Sequence, residues 1–194
     1  MTKTLSSITL AAAALLATAA ALPAQAATYQ IEPSHTYATF EITHFGTSTN
    51  RGRFNKQSGS VELDRAAHTA KVDVTVDVTS LDTGTDAFTK HIKSAEILDA
   101  NQFPTARFVG DKAVFNGDKL AEVSGQLTLH GKTQPVTLKA ENFNCYNSPM
   151  LKREVCGGDF TAALTRSLFG VTYGLDWGFP DAMRLVIQVE AVKQ

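Results

Sequence analysis

Residues 71–79 read KVDVTVDVT, so that Val72, Val74, Val76 and Val78 alternate with Asp73, Thr75, Asp77 and Thr79. Period two with β-branched residues predicts a strand buried on one face. The same alternation recurs along the chain. Ala38, Phe40 and Ile42 share a face within 36–44, and Phe160, Ala162 and Leu164 share another. Near the end, Leu185, Ile187, Val189 and Ala191 line up opposite Gln188 and Glu190. Turn residues mark further strands. Asn116-Gly117-Asp118 follows KAVF and precedes a strand running to Leu129, and His130-Gly131-Lys132 separates that strand from one running from Pro135 to Cys145. Links this short predict antiparallel neighbours, about eight strands in all.

One segment departs from period two. Residues 85–100 read TDAFTKHIKSAEILDA, with Phe88 and Ile92 at helical spacing. A short helical crossing is predicted there, with Thr85 or Asp86 as cap and Ser94 opening a second turn. Pro104 bars its continuation. Phe88, Ile92 and Ile97 would pack from this crossing onto the sheet as a lid or plug.

Some eight antiparallel strands must stack as two sheets or close into a barrel. The inward positions are of modest size (Val72, Val74, Val76, Ala38, Ala162, Leu127, Leu129), which favours an interior with room in it. The predicted bore wall comprises Phe40 and Ile42 from one strand and Val72, Val74 and Val76 from another. Phe108, Leu127 and Leu129 follow, then Phe160 and Leu164, and finally Trp177 and Ile187. His44, next to Phe45 at a strand end, is placed to hydrogen-bond a polar head group.

Composition narrows the class. The chain has 194 residues, 43% hydrophobic and 19% charged, with a net charge of −1. These are globular values, and near-neutrality argues against nucleic acid as partner. Lys3, the apolar run Leu10–Leu22 and Ala24-Gln25-Ala26 have the layout of a cleaved signal peptide over residues 1–26. That run is shorter than the roughly 20 residues a spanning helix needs. The expectation is export to the periplasm, leaving residues 27–194 as one soluble domain. Outward Asp73, Asp77, Lys139 and Glu141 argue against a barrel set in a membrane.

Chemistry is sparse. His35, His44, His68, His91 and His130 form no metal-ligand spacing, and no nucleophile elbow, phosphate loop or dinucleotide fingerprint occurs. No metal, no catalytic residue and no required cofactor are expected. Cys145 and Cys156, an even pair in an oxidising compartment, are expected to form a disulfide.

Several phrases resemble the YceI-like family of exported bacterial proteins: YQIEPSH (29–35) leading into FEITHFG (40–46), SLDTG (80–84) with KHIKS (90–94), FPTARF (103–108), LTLHGKTQPVTL (127–138) and DAMRLVIQVEA (181–191). One departure is visible. Arg166-Ser167-Leu168-Phe169-Gly170 stands where that family often has Arg-x-Asp-Phe-Gly, which puts any contact of that Asp in doubt. The resemblance implies an all-β, extended antiparallel eight-stranded lipocalin-like barrel with a short helical crossing. It also implies a long pocket holding an amphiphile as ligand, either a polyisoprenoid such as a prenylated quinone or phenol, or a fatty chain. Transient contact with a membrane or membrane protein would go with such cargo, and a homodimer is the commonest oligomer for such a domain. The rival expectation is a non-lipid interaction or stress-response module with a filled core.

Overall fold

The computed structural model describes residues 26–194. The signal peptide expected over 1–26 lies outside the described residues, apart from Ala26. Eleven strands and one helix follow in order: β1 (Ala27–Ile31), β2 (Tyr37–His44), β3 (Ser48–Phe54), β4 (Gln57–Asp64), β5 (Thr69–Asp77), β6 (Leu81–Asp82), α1 (Asp86–Lys93), β7 (Thr105–Asn116), β8 (Lys119–Leu129), β9 (Lys132–Asn147), β10 (Glu154–Thr165) and β11 (Ala182–Lys193).

All pairings are antiparallel, in the order β1-β4-β5-β7-β8-β9-β10-β11-β2-β3-β6, with β1 also pairing with β11. The eleven segments therefore make eight barrel strands. β1 and β2 are one strand interrupted around Pro33, since both lie on the same edge of β11. β3 and β4 are its interrupted neighbour, flanked by β6 and β5. The short links explain the up-and-down order. At Gly117 (φ 59) the backbone takes the left-handed conformation that a two-residue hairpin needs, and His130 (φ 52) with Gly131 (φ 71) does the same between β8 and β9.

The expected strand 71–79 is shorter than its alternation. β5 ends at Asp77, and Val78–Ser80 is a single 3-10 turn. Asp77 caps it, its carboxylate accepting from the Thr79 N–H at 2.9 Å. Ser80 Oγ accepts from the Asn55 and Lys56 N–H groups, both at 3.0 Å, so this turn fills the break between β3 and β4. Val78 stays buried, as its period-two position required. The predicted helix is likewise shorter, with Thr85 at its N-cap position, making no side-chain cap bond, and Ser94 ending it.

Meander order assigns every link to one of two ends. The β2–β3 turn, α1, the β8–β9 turn and the long β10–β11 connection crowd one end, the mouth. The β4–β5, β7–β8 and β9–β10 links lie at the other, the floor. The two ends of the described residues also meet at the floor, where Gln194 N–H donates to Thr28 O at 2.9 Å. There the buried Tyr29 donates its hydroxyl to Glu154 at 2.5 Å, and Arg65 donates to the same carboxylate at 2.9 Å. Burial, then the bond to Glu154, pushes the Tyr29 hydroxyl up to about 12. That same bond, helped by Arg65 and Lys193, holds the Glu154 carboxyl below its ordinary value. On the outer wall, Arg107 pairs in two-pronged fashion with Asp73, an exposed arrangement that contributes little to stability.

Cys145 and Cys156 face each other across β9 and β10 and are bonded. Two outcomes follow. Reduction should lower the unfolding free energy by at most about 3 kcal/mol for a loop this short, read as a shift of the urea midpoint with and without reductant. Because the Glu154 carboxyl is held down in the folded state, its contribution is present above the ordinary carboxylate range and lost as pH falls through the folded value. Glu154→Gln should therefore be less stable than wild type at neutral pH, with the gap closing in acid. The raised Tyr29 hydroxyl contributes the opposite way, its share fading as pH rises from 10.0 towards about 12. Thermal melts across pH check both arms.

Candidate functional site

Period two sends alternate side chains inward, and the inward set does not fill the barrel. Two apolar cavities remain, of about 400 Å³ on the mouth side and about 170 Å³ on the floor side. Ala38, Val76, Ala106, Leu127 and Leu185 line both, so the two are adjoining chambers of one bore that meet at a waist formed by these side chains.

All the sequence-predicted wall residues lie on this bore. Phe40, Ile42, His44, Leu129 and Leu164 line the upper chamber, with Phe88 and Ile92 of α1 beside them. Val72, Val74, Phe108, Phe160 and Ile187 line the lower one, while Val76 and Leu127 belong to the waist. Gly52 is what lets Phe40 lie where it does, because a Cβ there would run into the Phe40 ring.

Trp177 lines the upper chamber too, but from its rim, where it sits on a single 3-10 turn and is 66% exposed. It stands between two left-handed glycines, Gly174 (φ 77) and Gly178 (φ 81), in a connection with no strand parity to bury it. It packs edge-on against Tyr173, which in turn meets His91 of α1. A second aromatic cluster adjoins it, since Phe179 and Trp177 both lie against Gly174. His44 is exposed, and rather than standing alone beside Phe45 it packs edge-on against both Phe45 and Phe179. Phe45 holds a positive φ of 48 at the tip of the β2–β3 turn and is 51% exposed.

Of the polar wall residues that were not predicted, Arg166 and Gln57 are buried with a side-chain atom left unpartnered among the described residues. Arg166 follows Phe160, Ala162 and Leu164 at the same parity, and so points inward where β10 ends. It is 4% exposed and lines the upper chamber. Its Nε donates to Pro180 O at 2.8 Å, and its Nη1 to Val171 O and Tyr173 O at 2.9 and 2.8 Å. The guanidinium thus clamps the long β10–β11 connection from within. Three of its five donors are used on carbonyls, and no carboxylate is bonded to it. The remaining two sit on Nη2, which is covered and has no partner among the described residues. Burial pulls the guanidinium below its ordinary value, which marks the cost of holding a cation there. Phe179 stacks near it, with its ring centre 5.4 Å from the guanidinium carbon. Gln57 is the second such residue. It shares inward parity with Val61 and Leu63 on β4, lines the lower chamber and donates Nε2 to Phe54 O at 2.6 Å. For both residues the readable signal was a polar side chain continuing an apolar parity.

Leu168, the departure from the familiar motif, is 54% exposed and stands away from the bore. The carboxylate that anchors this segment is Asp181, which accepts from Ser167 Oγ at 2.6 Å and from Ser167 N–H at 2.8 Å. Those two bonds hold the Asp181 carboxyl below its ordinary value. No group of His, Cys, Asp and Glu side chains suited to a metal ion occurs among the described residues.

Comparison with known proteins extends this picture. The YceI-like domain model matches residues 29–191. A UPF0312 protein of Pseudomonas paraeruginosa is 36% identical over 174 residues, covering 88% of this chain and 90% of its own. Another, from Vibrio parahaemolyticus, is 42% identical over 139 residues, covering 69% and 74%. Among solved structures, Burkholderia cenocepacia BcnA aligns with a TM-score of 0.69 at 22% identity, over 82% of this chain and 98% of that one. A polyisoprenoid binding domain from Saccharophagus degradans, implicated in plant cell wall breakdown, aligns with a TM-score of 0.61 at 12% identity, over 87% and 99%. At these identities the structural matches establish the fold.

The clamp makes a stability prediction. Arg166→Met removes three bonds from a charged donor and should cost about 3 kcal/mol. Arg166→Lys should recover little of it, because an ammonium cannot reproduce the fork. Urea denaturation of the three proteins measures both.

Proposed function

The chain belongs to the YceI-like family, and on that premise we propose that it is a non-enzymatic periplasmic carrier of a long-chain amphiphile, a polyisoprenoid such as a prenylated quinone or phenol. The observation that carries this reading is an apolar interior of two adjoining chambers with a buried cation on the wall of the upper one. A tail of many methylenes suits the walls, and a single oriented polar contact suits the head. The polyisoprenoid binding domain from Saccharophagus degradans shares the fold, which supports the choice of ligand class. The signal peptide read in residues 1–26 and the bonded cysteines support the oxidising compartment.

We place the head group against Arg166, because its two spare donors suit a carbonyl, carboxylate or phosphate oxygen. Those donors are covered in this structure, so a head reaches them only once the side chains that cover them shift. The exposed apolar rim at the mouth, with Phe45, Trp177 and Leu168 each more than half exposed, suits transient contact with the membrane that supplies such a cargo.

Energetics favour carriage over a one-way sink. Each methylene leaving water contributes about 0.8 kcal/mol, and a long prenyl chain summed that way would exceed the practical affinity limit of roughly 18–21 kcal/mol. The relevant starting state is a bilayer, where the chain is already out of water. Transfer into the bore is then nearly balanced, which lets cargo be taken up and given away. A filled-core interaction module fits less well with two chambers of this size.

The test is extraction of the protein, purified from a cell that makes its own isoprenoids, with organic solvent followed by mass spectrometry. A prenyl or fatty amphiphile in stoichiometric amount is expected. Repeated recovery of no lipid would sink the carrier reading. Fractionation of cells expressing the full chain should place it in the periplasmic fraction, and retention in the cytoplasm would remove that part of the proposal.

A further inference from the structure

The bore is pinched. Of all its wall residues, only Ala38, Val76, Ala106, Leu127 and Leu185 line both chambers. Two of the five are alanines on different strands, Ala38 on β2 and Ala106 on β7. Ala106 is buried and lies directly beside Val76 in the β5–β7 ladder. Where the chambers meet, two inward positions thus carry no more than a methyl group. Below this waist, the lower chamber of about 170 Å³ includes Tyr29 in its wall, the residue bonded to Glu154 at the floor. An occupant entering from the mouth thus meets a constriction partway down and a stop at the end.

We propose that this waist, through Ala38 and Ala106, admits a chain from the upper chamber into the lower one and so governs how much chain the bore accepts. The inference rests on reading the bore as an amphiphile site and adds chain-length selection to it. A chain that ends above the waist uses the upper chamber alone. A longer chain threads between the alanines and gains the lower chamber, up to the floor. Each methylene buried from water is worth up to about fourfold in affinity, so exclusion from the lower chamber is readily measured. Interiors at packing density do not stretch to make room, which is why a single larger side chain closes the route.

The experiment is a binding series of unbranched fatty acids, from decanoate to docosanoate, against wild type and Ala106→Phe. In wild type, affinity should climb along the series until both chambers are filled and then level off. In Ala106→Phe it should level off earlier. Short members should bind within about twofold of wild type, and the longest should weaken by tenfold or more, a loss of about two buried methylenes. Ala38→Phe should do the same from the opposite wall. Leu127→Ala, which widens the waist, should instead favour the long members and guards against a phenylalanine variant that fails to fold. Undiminished long-chain binding in folded Ala106→Phe would overturn the waist as selector, as would equal weakening of short and long chains. If wild type binds no member of the series, the reading of the bore falls first and the inference falls with it; the wild-type curve distinguishes that from a failure of the waist alone.

Discussion

One strand closes the barrel. β11 pairs along one edge with β10 and along the other with both β2 and β1, and without it the sheet would be an open ribbon with two unpaired margins. Closure satisfies backbone groups that an open sheet would expose. It also turns a sequence parity into an inside and an outside. Once closed, every second residue of eight strands faces a common axis, and the sizes chosen there decide whether the interior is solid or hollow. The alanines and valines at those positions leave the interior unfilled.

Much of this could be read from the chain. Alternation at 72–76, 38–42, 160–164 and 185–191 identifies the wall because period two depends only on neighbouring residues. The hairpins at Gly117 and at His130-Gly131 were readable because positive φ is confined to few residue types. What alternation cannot see is where a strand stops while its parity continues. Val78 keeps the inward phase of Val76 yet belongs to a turn, because Asp77 caps the chain there and Ser80 bridges the gap in the adjacent strand. The exposure of Trp177 was hidden for a related reason. Its size argues for burial, but it lies between two left-handed glycines in a connection that no sheet holds. Nor does alternation report the partner of β11, since closure is a contact between the two ends of the domain.

Arg166 shows how local connection and interior are coupled. The long segment from β10 to β11 has little regular structure to hold it, and three of its carbonyls turn inward to one guanidinium. Ser167 and Asp181 fasten the same segment from the other side. Those contacts secure the rim that carries Tyr173, Trp177 and Phe179, so the residue that gives the upper chamber its charge also sets the shape of its opening. A cation so placed is costly to bury and is retained through its carbonyl bonds, which makes structure and recognition hard to separate at that position. The Leu168 departure disturbs neither, because it lies outside this set of contacts.

The meeting of Thr28 and Gln194 at the floor has a practical side. Whatever is joined to either end of this domain leaves from the pole opposite the aromatic rim. A purification tag, a fluorescent fusion or a covalent link to a sensor surface can be attached at either end while the opening stays clear. Immobilised by its ends, the molecule would present that opening uniformly to the solution.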